Sequence, residues 1–173
     1  MLNTVIFFAL RVVHVLAAAT WIGSTAFIAL MLAPAVERAG ASGGQVMARI
    51  DARGFQTYMA LLATTTVLTG LYLIWRFTGG FDGDIAATHA GVAFALGGAA
   101  GVLALIVGGA VVARSARQAT ELMTRAASMP DNPEKSSLMV HATAARRRMK
   151  AGTKVVIALQ AAALVLMTIG HYV

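Results

Sequence analysis

The sequence contains no cysteine among its 173 residues. This absence excludes a disulfide framework, a thiolate metal site and covalent haem attachment through a CxxCH motif. Charge is also scarce: 12% of the residues are charged, and no Asp or Glu lies within the long apolar segments. A proton-coupled transporter built on buried carboxylates is therefore disfavoured. No P-loop, HExxH or Ser/His/Asp order points to ordinary hydrolytic catalysis.

Apolar residues are what the chain has in abundance. They make up 58% of the sequence, and the mean hydropathy of +0.75 lies well above that of soluble domains. Crossing a bilayer takes about 20 such residues. The sequence predicts an all-α integral membrane four-helix bundle, one domain over residues 1–173, with spans at about 4–34, 57–78, 88–113 and 153–172.

Two prolines lie between the third and fourth predicted spans, and they predict where helices end outside the membrane. Pro130 and Pro133 interrupt a pattern that is helical on both sides. We expect the third helix to continue to about Met129 and the fourth to begin near Ser136.

The distribution of basic residues predicts the orientation. The net charge is +7, and most of the cations lie in the long connection 114–152 and just beyond it, at Lys154. The positive-inside rule makes this connection cytoplasmic and both termini extracytoplasmic, in a bacterial-type inner membrane. The basic charge then reflects topology, with anionic lipid headgroups as a further candidate partner, and does not indicate nucleic-acid binding.

Ionisable side chains within the apolar segments are the candidate functional residues. Arg11, His14 and His171 lie inside predicted spans, His89 lies at the mouth of the third span, and Arg76 lies at the mouth of the second. Such groups are costly in hydrocarbon and mark functional sites by default. In the predicted orientation, three of the four histidines fall in the outer leaflet.

Helical spacing groups these residues on faces. Arg11, His14 and Trp21 share one face of the first span, and a comparable stripe through Gln160 ends at His171. Two imidazoles on facing helices at similar depth can form the axial pair of a haem b. We expect His14 to pair with His171.

His89 is the alternate metal ligand in this hypothesis, since it lies closer to the membrane surface. Arg11 or Arg76 would pair with a haem propionate, because a cation is needed about one turn nearer the surface. The predicted function is a redox or electron-transfer role. The expected partners are the lipid bilayer, a redox partner or larger membrane complex, and a second copy of the chain. A haem-dependent oxidoreductase activity would require an open axial position.

Two other functions stay open. One is copper transport or homeostasis, with Cu(I) bound by His14 and Met167 or His171. The other is a structural or assembly subunit, in which polar side chains join helices and His14 is hydrogen-bonded across the interface to Thr65 or Thr69.

The first span also carries a family resemblance. In LRVVHVLAAATWIGSTAF, the spacing of His14, Trp21 and Gly23 resembles the first helix of the CopD family of copper-resistance membrane proteins and of the HemJ-type protoporphyrinogen oxidase family. The first implies copper movement across the inner membrane. The second implies four helices, haem b on His14, and a lysine shortly after the histidine that matches His89. This sequence has Gly91 at about that position and departs from the HemJ-type pattern there.

Overall fold

The computed structural model describes residues 2–173, except for the side chains of residues 2, 3 and 41. Among these residues the secondary structure is helical, without strands. The α-helices are α1 (Leu2–Phe27), α2 (Ala33–Arg38), α3 (Gly40–Ala52), α4 (Phe55–Phe77), α5 (Gly83–Ala86), α6 (His89–Val107), α7 (Arg114–Ala127) and α8 (Pro133–Ile169). Two π-helical segments, Ile28–Leu32 and Gly108–Ala113, join α1 to α2 and α6 to α7.

Four helical stretches are long and apolar enough to cross a membrane: Thr4–Arg38, Phe55–Phe77, His89–Ala127 and Pro133–Ile169. The prediction of an all-α, multi-pass membrane protein is confirmed to this extent, while the side on which the termini lie stays a prediction. Three of the stretches have 35 residues or more, well beyond the about 20 that a bilayer requires. The break between α7 and α8 lies near the two prolines, as their pattern indicates.

The segment between the first two apolar stretches folds as a separate helix, α3. Gly40 and Gly54 adopt left-handed φ angles of 58° and 83°, which turn the chain at either end of α3 and which glycine adopts without a Cβ penalty. Gly43 lies so close to α2 that a Cβ there would be 2.2 Å from the Val36 carbonyl oxygen. The glycines of this segment therefore allow a tight helical corner.

The chain divides into two compact units. The first comprises residues up to Leu105 together with Ile157–Val173, and the second comprises Ile106–Val156. In the first unit α1 packs along α4, with His14 of α1 against Gly70 of α4. Small residues line these contacts, as expected where lipid offers no hydrophobic driving force for helix association.

Contacts made by α6 and the end of α8 complete a ring of neighbours in the first unit. Gly98 of α6 faces the Ile74 side chain of α4, and Gly97 of α6 faces Met167 of α8. Gln160 of α8 is hydrogen-bonded to Thr25 of α1. Each helix therefore contacts two antiparallel neighbours, in the order α1, α4, α6, α8.

The second unit is an antiparallel helical hairpin of α7 and the first part of α8. Gly152 faces Val111 and Val112, and this contact sets the register between the two helices of the hairpin. At the connection, Lys135 Nζ lies 2.6 Å from Asp131 Oδ1, and this cation holds the pKa of the Asp131 carboxyl below its usual value. Apart from Val156, the buried residues of the hairpin are small: Ser115, Ala119, Ala126, Ala142, Ala145 and Gly152.

Candidate functional site

His14 is held between α1 and α4 by hydrogen bonds from one ring nitrogen. Its Nδ1 lies 2.9 Å from the Thr66 carbonyl oxygen and 3.1 Å from Thr69 Oγ1. The Thr69 hydroxyl itself donates to the Thr65 carbonyl, at 2.6 Å. Because the carbonyl of Thr66 can only accept, Nδ1 carries the proton and donates it.

This anchoring fixes which ring nitrogen can act as a ligand. With the proton on Nδ1, the neutral imidazole presents the lone pair of Nε2. Histidines that bind metals commonly donate their other N–H to a backbone carbonyl in this way, which sets both the tautomer and the ring orientation. The half-buried His14 has the local arrangement of a histidine ligand, and equally that of a side chain that joins two helices.

Gly70 makes room for the His14 ring. A Cβ at this position would lie 2.9 Å from His14 Cε1 and 3.3 Å from Nδ1. Residue 70 is one helical turn after Thr66, so the missing side chain also leaves the Thr66 carbonyl open to the ring. Gly70 is thus a positioning residue for His14.

Arg11 and His171 meet one turn away from His14. The Arg11 guanidinium donates a hydrogen bond to His171 Nε2. Since arginine only donates, His171 accepts with its lone pair, and its own ring proton lies on Nδ1. Phe94 of α6 packs edge-on against the His171 ring, with the centroids 6.0 Å apart. The predicted stripe on α8 therefore ends in a contact that links α1, α6 and the residues just after α8.

A second polar contact lies deeper in the first unit. Gln160, with 2% of its surface exposed, donates from Nε2 to Thr25 Oγ1 at 3.4 Å. The Thr25 hydroxyl in turn donates to the Trp21 carbonyl at 2.8 Å. Trp21 is itself buried, so this member of the predicted face packs in the interior next to a polar contact between α1 and α8.

Two predicted site residues lie at helix ends. Arg76 is exposed in the last turn of α4, and His89 is exposed as the first residue of α6. Neither side chain makes a hydrogen bond or ion pair with the residues that the structure describes. The contacts bring together His14 with α4 and Arg11 with His171, and they leave Arg76 and His89 outside both groups.

The position that matches the HemJ-type lysine has a structural reason to be glycine. A Cβ at Gly91 would lie 2.4 Å from the Ile85 carbonyl oxygen and 2.6 Å from that of Ala86. The turn before α6 therefore packs directly on the backbone of residue 91. No lysine side chain fits there without moving that turn.

Sequence reasoning missed two contributors to this region, Phe94 and the carbonyl of Thr66. An aromatic residue five positions after His89 was a visible signal for Phe94, whereas nothing in a sequence marks which backbone carbonyl accepts a bond. Within residues 2–173, no group of three or more His, Asp or Glu side chains is arranged to hold a metal ion.

Comparison with models of known protein families, with curated proteins and with solved structures finds no match.

Proposed function

We propose that this chain is a small haem b-binding protein of the cytoplasmic membrane with a redox, electron-transferring role. His14 would hold the haem iron, through Nε2. The observation that carries the proposal is the pair of hydrogen bonds that fix the proton on His14 Nδ1. A ligand position needs this tautomer, and a backbone carbonyl is a common means of holding it.

One side chain near His14 suits a haem. Arg11 lies one helical turn away on the same face of α1 and is a cation that can pair with a propionate, because a guanidinium forms strong hydrogen bonds to carboxylates. The bound haem would supply reversible one-electron chemistry at iron. The protein would orient the imidazole and neutralise a carboxylate.

His171 distinguishes two forms of the proposal. Its Nε2 accepts the hydrogen bond from Arg11, so in the form we favour His171 positions Arg11, and His14 alone would hold the iron. In the second form His171, or His89 as the alternate, would hold the iron together with His14. His171 can take that role only by releasing Arg11.

An absorption spectrum tests the proposal. Full-length protein, expressed with ample haem and purified in detergent, should show a Soret band, and His14→Ala should abolish it. His141→Ala is the matched control, because it removes an exposed histidine that neither form of the proposal uses, and it should keep the band. Absence of a Soret band from the natural sequence, or its persistence in His14→Ala, would overturn the proposal.

The second candidate is a structural or assembly subunit, and the same contacts support it. Hydrogen bonds from His14 to α4 and from Gln160 to Thr25 join helices in the first unit, each worth about 0.6 to 2 kcal/mol in a membrane. In this case His14→Ala lowers the melting temperature of a protein that carries no haem. Iron and copper analysis of the same sample separates both candidates from the copper-transport alternative, which predicts bound copper.

A further inference from the structure

The second unit concentrates its positive charge at one end of the hairpin. We define the basic collar as the seven exposed cations at this end: Arg114, Arg117, Arg146, Arg147, Arg148, Lys150 and Lys154. Half of the 14 Lys and Arg residues of the chain belong to it. The two helical segments that supply them are 32 residues apart along the chain, counted from Arg114 to Arg146.

The register of the hairpin brings the two segments to the same level. Gly152 faces Val111 and Val112, so in an antiparallel pair Arg117 lies at the level of Arg146 and Arg147. At 1.5 Å per residue, residues 114–117 and 146–154 fall within a band roughly 12 Å high. The seven cations therefore lie at one level of the hairpin.

The segments that supply the collar contain no acidic residue, and the acidic residues of the second unit lie at its other end. Segments 106–120 and 139–156 contain no Asp or Glu, whereas Glu121, Asp131 and Glu134 lie toward the connection between α7 and α8. There they are accompanied by Arg125 and by Lys135, which is paired with Asp131. The collar thus carries +7 from its own residues, and the rest of the hairpin carries −1 (two cations, three carboxylates).

Each basic segment borders an apolar one within a continuous helical stretch. Arg114 follows directly on the apolar run 90–113, and Val155, just after Lys154, begins the apolar end of α8. Cations in this position meet the headgroup region of the bilayer that the apolar runs cross. Near an anionic surface each Lys or Arg contributes about fivefold to binding, which corresponds to about 1 kcal/mol.

We propose that the basic collar is a binding surface for the phosphate headgroups of anionic phospholipids. The occupant is the bilayer that surrounds the protein. A nucleic acid is the other polyanion that seven cations could bind, but the second unit contains no Phe, Trp or Tyr on which bases could stack. The adjacency to apolar helix also favours lipid over nucleic acid.

Native mass spectrometry of the detergent-solubilised full chain tests this assignment. Protein is mixed with equal amounts of dioleoyl phosphatidylglycerol and dioleoyl phosphatidylcholine, and the bound lipids are counted. We expect phosphatidylglycerol to be preferred, and the triple variant Arg146→Gln, Arg147→Gln, Arg148→Gln to reduce that preference at least about fivefold. Arg114, Arg117, Lys150 and Lys154 remain in this variant to maintain the orientation of the chain.

The control removes cations from the same hairpin outside the collar. Arg125→Gln with Lys135→Gln should leave the preference unchanged. A salt series on the natural chain is a check that needs no variant. Raising the salt concentration from about 0.05 M to about 0.5 M shortens the Debye length from roughly 14 Å to roughly 4 Å. The preference for phosphatidylglycerol should then weaken.

Three outcomes would overturn the proposal. They are equal binding of the two lipids by the natural chain, an equal loss of preference in the control variant, and displacement of the bound phosphatidylglycerol by a short DNA duplex at about 0.15 M salt. If the triple variant does not accumulate in the membrane, the salt series on the natural chain decides.

Discussion

The two compact units place polar and apolar side chains in opposite ways. In the first unit, polar groups face other helices: His14 is bonded to α4, and Gln160 to Thr25. In the second unit the buried residues are mainly alanine, which we call the alanine seam, and the collar cations are exposed. Small residues thus pack beside side-chain hydrogen bonds between helices in the first unit, whereas Ser115 is the one buried polar side chain among the described residues of the second.

We interpret this contrast by the solvent that the predicted topology gives each unit, hydrocarbon for the first and water for most of the second. Lipid tails are as apolar as leucine, so helices in a bilayer gain from hydrogen bonds and from close backbone approach. In water, burial of apolar surface would stabilise the alanine seam, and charges are stable where they are solvated. The four predictions that follow test this contrast, beginning with the one expected to have the largest effect.

A charge inside the alanine seam should break the second unit. Ala126 is 1% exposed, so Ala126→Glu buries a carboxylate without a partner and should destabilise the hairpin by at least about 3 kcal/mol. Ala127→Glu is the matched control, because the neighbouring residue is exposed and should change stability little. Hydrogen exchange of the α7 amides measures the effect. Equal protection from exchange in both variants would contradict an alanine seam that excludes water.

Filling the space beside His14 should disturb the first unit. Gly70→Ala places a Cβ 2.9 Å from His14 Cε1, which forces the ring off its Thr66 and Thr69 acceptors at a cost of about 1 to 3 kcal/mol. Gly23→Ala is the control, because a Cβ there meets nothing within 4 Å. Thermal unfolding in detergent should show a lower midpoint only for Gly70→Ala, and the haem content should fall with it.

Removal of a buried amide should have a smaller effect. Gln160→Leu deletes the bond to Thr25 and should destabilise the first unit by about 0.6 to 1.7 kcal/mol. Gln118→Leu makes the same change at an exposed position of α7 and should stay within about 0.5 kcal/mol. Denaturation in mixed micelles measures both, and a stabilised Gln160→Leu protein would show that the hydrogen bond is not part of what holds α1 to α8.

The smallest effect is expected at the exposed contact of Arg11 with His171. A double-mutant cycle with Arg11→Gln and His171→Gln isolates their coupling, which should be below the about 1 kcal/mol of an average hydrogen bond. Strictly additive changes would mean that the two side chains do not act together.

The sequence supports the helical membrane architecture more strongly than it supports the site. Length and hydropathy suffice for four apolar helices, and Pro130 with Pro133 indicates the break near the start of α8. The alternative in which His14 bonds Thr69 is confirmed as a contact. The bond to the Thr66 carbonyl was not predictable, because it depends on the open space at Gly70. The packing of Phe94 on His171 depends on the register between α6 and α8, which no periodicity within one helix specifies.

The central claim is that His14 alone holds the haem iron. Its most direct test is the electron paramagnetic resonance spectrum of the ferric protein after expression with haem. One imidazole ligand and no second strong-field ligand give high-spin iron, whereas two imidazoles give low-spin iron. We predict a high-spin signal that disappears in His14→Ala and persists in His171→Ala. A low-spin signal that is lost in His171→Ala would contradict the account, because His171 would then bind iron instead of accepting the hydrogen bond from Arg11.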